Sequence, residues 1–221
     1  MSLRTWTRLG PPYTAREANL ARHRFRVLIL VAALAIVAGV VSGCISVKSY
    51  VDPELPKVGY GDLLVRRDKR PIVMSLEFQR NGNVKPAISE RVQEKAKTIL
   101  ATTNLFSAVS IGSDGSLDRL ELVLNNIADT GDAIGKGIKT GLTFGGVGSR
   151  VTDSYVLTAT FKPTGGPAVQ KIYRHALHSA IGNADLPPDA TRMSVQQAFD
   201  RVLQDLLLKL MRDLQTEELL Q

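Results

Sequence analysis

The sequence predicts an α+β domain in two layers, with a mainly antiparallel sheet of about five strands packed on two helices and an N-terminal signal helix before it. Three observations carry that prediction. Residues 72–78 alternate apolar and polar side chains, the mark of a half-buried strand. Apolar residues recur at helical spacing in two stretches, Ile88 to Leu100 and Val195 to Leu214. Turn-forming glycine, proline and asparagine separate the strand-like runs.

The first element is the signal. Arg16, Arg22, Arg24 and Arg26 precede an apolar run from Val27 to Val41, which closes on Val41-Ser42-Gly43-Cys44. Basic, apolar and small residues in that order form an export signal, and the arginines hold its near end at the cytoplasmic face. An aliphatic residue, two small residues and then the only cysteine of the chain resemble the lipobox of bacterial lipoproteins, over residues 22–44. The resemblance implies that a peptidase reads Val41, Ser42 and Gly43 and cuts before Cys44. It also implies acylation of the Cys44 sulfur and of the new amino terminus. Position 45 holds Ile45 rather than the aspartate that retains such proteins at the inner membrane, so the implied address is the periplasmic face of the outer membrane. Each buried methylene contributes about 0.8 kcal/mol, so several acyl chains on one residue hold a protein on a membrane durably. The alternative is an uncleaved single-pass inner-membrane anchor with a periplasmic domain, because 27–44 reaches the lower limit for a spanning helix, roughly 17–18 residues.

The net charge of +7 invites a nucleic-acid partner, since basic chains gain affinity by releasing counterions. Its distribution removes that reading. Residues 1–26 hold six arginines and one glutamate, whereas residues 44–221 hold 22 basic against 20 acidic side chains. The remaining cluster, Arg66-Arg67-Asp68-Lys69-Arg70, reads as a solvated turn before a strand. With Cys44 acylated, no disulfide forms in the mature part and packing alone stabilises it.

Residues 1–43 are thus a signal peptide and 44–70 a lipidated N-terminus and tether, in which Asp52-Pro53, Pro56, Gly59 and Gly61 break both periodicities. Tyr50 and Tyr60 offer a way to lay this tether on the domain, which spans 71–221. Within it, Ile72, Met74, Leu76 and Phe78 make one face of the first strand. Asn81-Gly82-Asn83 turns the chain, Pro86 suits the first turn of a helix, and that helix should end near Thr103. Leu105-Phe106 with Val109 and Ile111 suggests a second strand, and Leu120, Leu122 and Leu124 a third after the Asp114-Gly115 turn. Tyr155, Leu157, Ala159 and Phe161 mark a fourth. A connection at Thr164-Gly165-Gly166-Pro167 leads to a fifth through Val169, Lys171, Tyr173, His175 and Leu177. Ser194 and Gln197 form a capping box for the last helix, whose broad apolar face reads as core.

The strand, the helix and the Leu105-Phe106-Ser107-Ala108-Val109 pattern, over residues 71–128, are similar to small periplasmic domains of lipoproteins that assist secretion and envelope assembly. These include the curli and exopolysaccharide secretion lipoproteins and the amino-terminal domain of the Tol-system propeller protein. The likeness implies a fold and a compartment.

A glycine-rich insertion occupies 131–148, where seven of eighteen residues are glycine. Gly135-Lys136-Gly137 lacks the spacing and following hydroxyl of a phosphate-binding loop. Gly137, Gly141 and Gly145 stand four apart and, with Leu142 and Phe144, make a candidate contact with a protein partner or the lipid interface. A plain surface loop or hairpin tip is the other reading. His175 and His178 face opposite ways on a strand and cannot share a metal. Ser149, Asp153 and His175 have the residue types of a hydrolase triad, but no nucleophile elbow surrounds any serine. Asp129, Asp132, Asp153 and Asp185 lack calcium-loop spacing. The expectation is no catalytic residue, no metal and no cofactor beyond the covalent lipid. The chain then reads as a non-catalytic accessory or binding subunit of an envelope or secretion complex, bound to the membrane and to a protein partner but not to nucleic acid. A tethered periplasmic hydrolase and a hydrophobic-ligand-binding lipoprotein are the alternatives.

Overall fold

The chain is described here by a computed structural model covering residues 47–128 and 149–220. Its elements are β1 (Val47–Val51), β2 (Ile72–Arg80), β3 (Asn83–Val84), helix α1 (Pro86–Thr102), β4 (Val109–Ile111), β5 (Asp118–Ala128), β6 (Ser149–Lys162), β7 (Val169–Ile181) and helix α2 (Val195–Thr216). The segment read as a signal, with Cys44 and Ile45, and the glycine-rich insertion lie outside the described residues.

The strands form one sheet in the order β1-β7-β6-β5-β2-β3, with β4 also on β2. The α+β class holds, and two details of the expectation are corrected. Seven strands stand among the described residues rather than about five, because β1 and β3 are short and carry little alternation. The sheet is mixed rather than mainly antiparallel: β2 runs parallel to both β4 and β5. Helix α1 supplies the crossover that parallel neighbours require, returning the chain to the starting end of β2. The other pairings, β1 with β7, β7 with β6, β6 with β5 and β2 with β3, are antiparallel.

The β2 side facing away from β5 is shared by β4 at one end and β3 at the other. Between them its amides would be bare, a hazard at any sheet edge. Helix α1 satisfies them: Leu76 N donates to Gln93 Oε1 at 2.8 Å and Phe78 N to Ser89 Oγ at 2.8 Å. The turn into β3 uses Asn81 at φ 50° and Gly82 at φ 76°, left-handed values suited to asparagine and glycine.

Both helices cover one face of the sheet. Met74, Leu76, Phe78, Leu120, Leu122, Leu124, Leu157 and Phe161 point into this layer and are buried, as the alternation predicts. Helix α2 starts at the expected capping box, with Gln197 N donating to Ser194 Oγ at 3.2 Å and Ser194 N to Gln197 Oε1 at 2.9 Å. Its middle is buried on successive positions, Asp205 to Leu208, and a helix buried all round must have neighbours on every side. The sheet lies on one side and α1 on another. The third side is closed by residues 52–66.

That last contact concerns the segment read as a tether over 44–70: its described part, from Val47 to Arg66, lies on the domain, one of the two courses open to it. β1 is a sheet strand, register Val47 to Ile181 through Val51 to Leu177, and Ser49 is fully buried. After it the chain crosses α2 as a strap. Val58 and Leu63 are buried, Leu64 N donates to Gln215 Oε1 at 3.0 Å and Gln215 Nε2 donates to Leu64 O at 2.7 Å. Arg212 donates to the Asp62 carbonyl. Prolines and glycines that break periodicity also allow a chain to follow a curved surface. The basic cluster is corrected at one position: Arg66 is buried and its Nη1 donates to Leu105 O at 3.3 Å. Among the described residues, no helix is long and apolar enough to cross a membrane.

Candidate functional site

Strand β7 separates two chemically different surfaces. Toward the helices, Lys171 pairs with Glu217, and Tyr173 Oη donates to Asp213 Oδ2 at 2.8 Å. Burial, then the hydrogen bond and charge of Asp213, push the Tyr173 phenol above its ordinary range. Deeper in the same row, His175 Nε2 lies 3.4 Å from Asp205 Oδ2, the two side chains being 1% and 4% exposed. Arg201 Nε donates to the same oxygen, Asp205 Oδ2, at 3.1 Å and lies 2.9 Å from Oδ1, which has no hydrogen-bond partner among the described residues. A buried carboxylate is tolerable only when paired in this way. His175 Nδ1 is buried without a hydrogen-bond partner among the described residues. Placing the ring hydrogen on Nε2, toward Asp205, leaves Nδ1 as a bare acceptor rather than a bare donor.

On the outer face His178 has its own partners. Thr152 Oγ1 lies 2.9 Å from Nδ1, Asp52 Oδ2 lies 3.4 Å from Nε2, and the Tyr50 ring stacks at 4.8 Å between centroids. The two histidines therefore occupy opposite faces, as strand parity predicts. Among the described residues no group of three or more histidine, cysteine or acidic residues is placed to hold a metal. The triad residue types are not brought together: Ser149 is registered with Ile181, Asp153 with Leu177, and His175 with Tyr155. Asp153 instead accepts from Asn126 Nδ2 at 3.4 Å.

The most distinctive surface is an edge. β7 runs from Val169 to Ile181, but β1 pairs only with Leu177 to Ile181, and Asp52 N closes one further position on Ala176 O at 3.0 Å. From Val169 to Arg174 that side of β7 has no strand among the described residues. Ile172, 55% exposed, stands on this edge and points to the outer face, which neither helix covers. Backbone groups and a projecting aliphatic side chain together make a surface that an extended segment can pair with. Beside it lies a cleft of about 370 Å³ lined by Asp52, Leu55, Tyr155, Arg174 and His175. The sequence signal for the edge was available only indirectly, in the length of β7; the shorter partner strand was hidden in the supposed tether.

Cys44, expected to be lipidated, Val41, Ser42 and Gly43, expected to be read by the peptidase, and Ile45 fall outside the described residues, as do Gly137, Gly141, Leu142, Phe144 and Gly145. No protein-family model matches the chain, and no curated protein matches it. Among solved structures, the chain is similar to a PelC dodecamer from Paraburkholderia phytofirmans, with 13% identity, a TM-score of 0.36, and coverage of 76% of this chain and 96% of that one. It is similar to a minor lipoprotein from Acinetobacter baumannii at 11% identity, TM-score 0.33, covering 67% of this chain and 94% of that one. A neuraminyllactose-binding hemagglutinin homologue from Helicobacter pylori shows 10% identity, a TM-score of 0.37, and coverage of 75% and 91%.

Proposed function

We propose that this chain is an outer-membrane lipoprotein, held by acyl chains on Cys44, whose periplasmic domain is a non-catalytic accessory or binding subunit of an envelope or secretion complex. The anchor is supported by the sequence alone, through the charge order, apolar length and Val41-Ser42-Gly43-Cys44 ending. The binding role is supported by one observation, a β7 edge and an adjoining sheet face that no described element covers. The placement of His175 and His178 on opposite faces, away from Ser149, fits this reading better than the hydrolase alternative.

A photo-crosslinking residue at position 172 tests the binding half in whole cells. It should give a discrete adduct containing an envelope protein, while the same residue at exposed Thr98 on α1 should not. Equal adducts at both positions, or none at 172, would count against the edge. Cys44→Ala tests the anchor: acyl labelling should vanish and an uncleaved precursor accumulate. Labelling and mass unaffected by the change would refute the lipobox.

A further inference from the structure

We propose that the cleft between β1, the strap and α2 is a binding site for a small zwitterion of the α-amino-acid type with an apolar side chain. It is distinct from the β7 edge, and the anchor plays no part in it.

The cleft encloses about 440 Å³, within the range of small-ligand pockets, roughly 300–1,000 Å³. Its walls come from segments far apart in the chain: β1, the strap, the loop before α2 and α2 itself.

Asp205 carries the first requirement. Its side chain is 4% exposed, and Oδ2 takes both donors that the fold supplies, His175 Nε2 at 3.4 Å and Arg201 Nε at 3.1 Å. Oδ1 lies 2.9 Å from Arg201 Nε but accepts no hydrogen bond among the described residues. A buried carboxylate oxygen left in this state costs stability, so a donor that reaches it from the cleft gains more than an ordinary surface hydrogen bond does.

Arg201 supplies the opposite charge. Among the described residues only its Nε is engaged, which leaves the outer fork of the guanidinium, on a side chain 38% exposed, to hold a carboxylate in two parallel bonds. An ammonium on Asp205 Oδ1 and a carboxylate on Arg201 then sit side by side, as they do on a single α-carbon.

The backbone of β1 repeats the pattern. Along an antiparallel strand, successive residues turn their N–H and C=O to alternate sides. Asp52 N bonds to Ala176 of β7, so Val51 turns the other way, as Ser49 does in exchanging bonds of 2.9 and 2.8 Å with Met193. No described strand extends that pairing to Val51, which offers the cleft one donor and one acceptor.

Charge and polarity define the rest of the ligand. Lys57 and Asp189 share the walls with Arg201 and Asp205, two groups of each sign, a balance that suits a molecule without net charge. Pro53, Pro187 and Met193 provide an apolar side for an aliphatic side chain.

The test titrates the full chain, purified in mild detergent, with L-leucine and D-leucine by isothermal titration calorimetry. Two analogues keep the carbon skeleton: 4-methylpentanoate lacks the ammonium, and 3-methylbutylamine lacks the carboxylate. At least one enantiomer of leucine should bind saturably, and each analogue about tenfold or more weakly, the worth of one lost charged hydrogen bond. Arg201→Gln keeps a donor for Asp205 at i,i+4 spacing, so the domain should still fold, as circular dichroism reports, while leucine affinity falls by a similar factor. Asp205→Asn removes the charge that an ammonium needs and should weaken leucine in the same way. The analogue comparison uses the unaltered protein and decides the matter where a variant does not fold. No binding of either enantiomer, analogues that match leucine, or an affinity untouched by Arg201→Gln in the folded variant would overturn the assignment.

Discussion

Tyr173 is the residue whose surroundings translate most directly into a measurable pH dependence. Its phenol is raised above the ordinary value of 10.0 by burial and by Asp213, so the folded state favours the protonated form. The sign follows from linkage: this stabilisation is complete below pH 10, and is lost as pH rises from there toward the higher folded value. Urea unfolding measured upward from pH 9 should therefore show falling stability, and Tyr173→Phe should flatten part of that slope; an identical slope in the variant would rule Tyr173 out as its source. Other residue-level features differ in how far the sequence reveals them. Strand parity was enough to place His175 and His178 on opposite faces. Their partners, Asp205 and Asp52, lie 30 and 126 residues away on other elements, and no local pattern links such groups.

Among the elements, α2 was legible to its capping oxygen, because a capping box is a local arrangement written within four residues. β1 was not. Five residues just before an Asp-Pro step carry too little alternation to register as a strand, and only pairing with β7 makes them one. The strap was equally hidden, since its bonds to Gln215 span 151 residues. Those bonds make a specific prediction. Gln215→Ala removes an acceptor for Leu64 N and a donor to Leu64 O, and should lower unfolding free energy by about 1–2 kcal/mol. Limited proteolysis should then cut the 53–66 segment faster; unchanged cleavage would mean that Val58 and Leu63 hold the strap without help.

For the whole molecule, the α+β class followed from the order of periodic segments, but the mixed sheet did not. Strand direction depends on which neighbours pair, and the alternation of β2 and β5 is the same in either sense. Destination is also a property of the whole molecule, and the proposed outer-membrane address turns on one residue, Ile45. Ile45→Asp should shift the acylated protein from outer-membrane to inner-membrane fractions on a density gradient, and an unshifted distribution would contradict the sorting expected from Ile45. The chain opens its domain with β1 and the strap, yet both close on β7 and α2, the last elements to be made. Contacts so distant in sequence are slow to form. The segment carrying β1 and the strap thus stays unpaired until β7 and α2 have been made, and the hydrogen bonds between Leu64 and Gln215 that lock α2 are among the last in the domain to close.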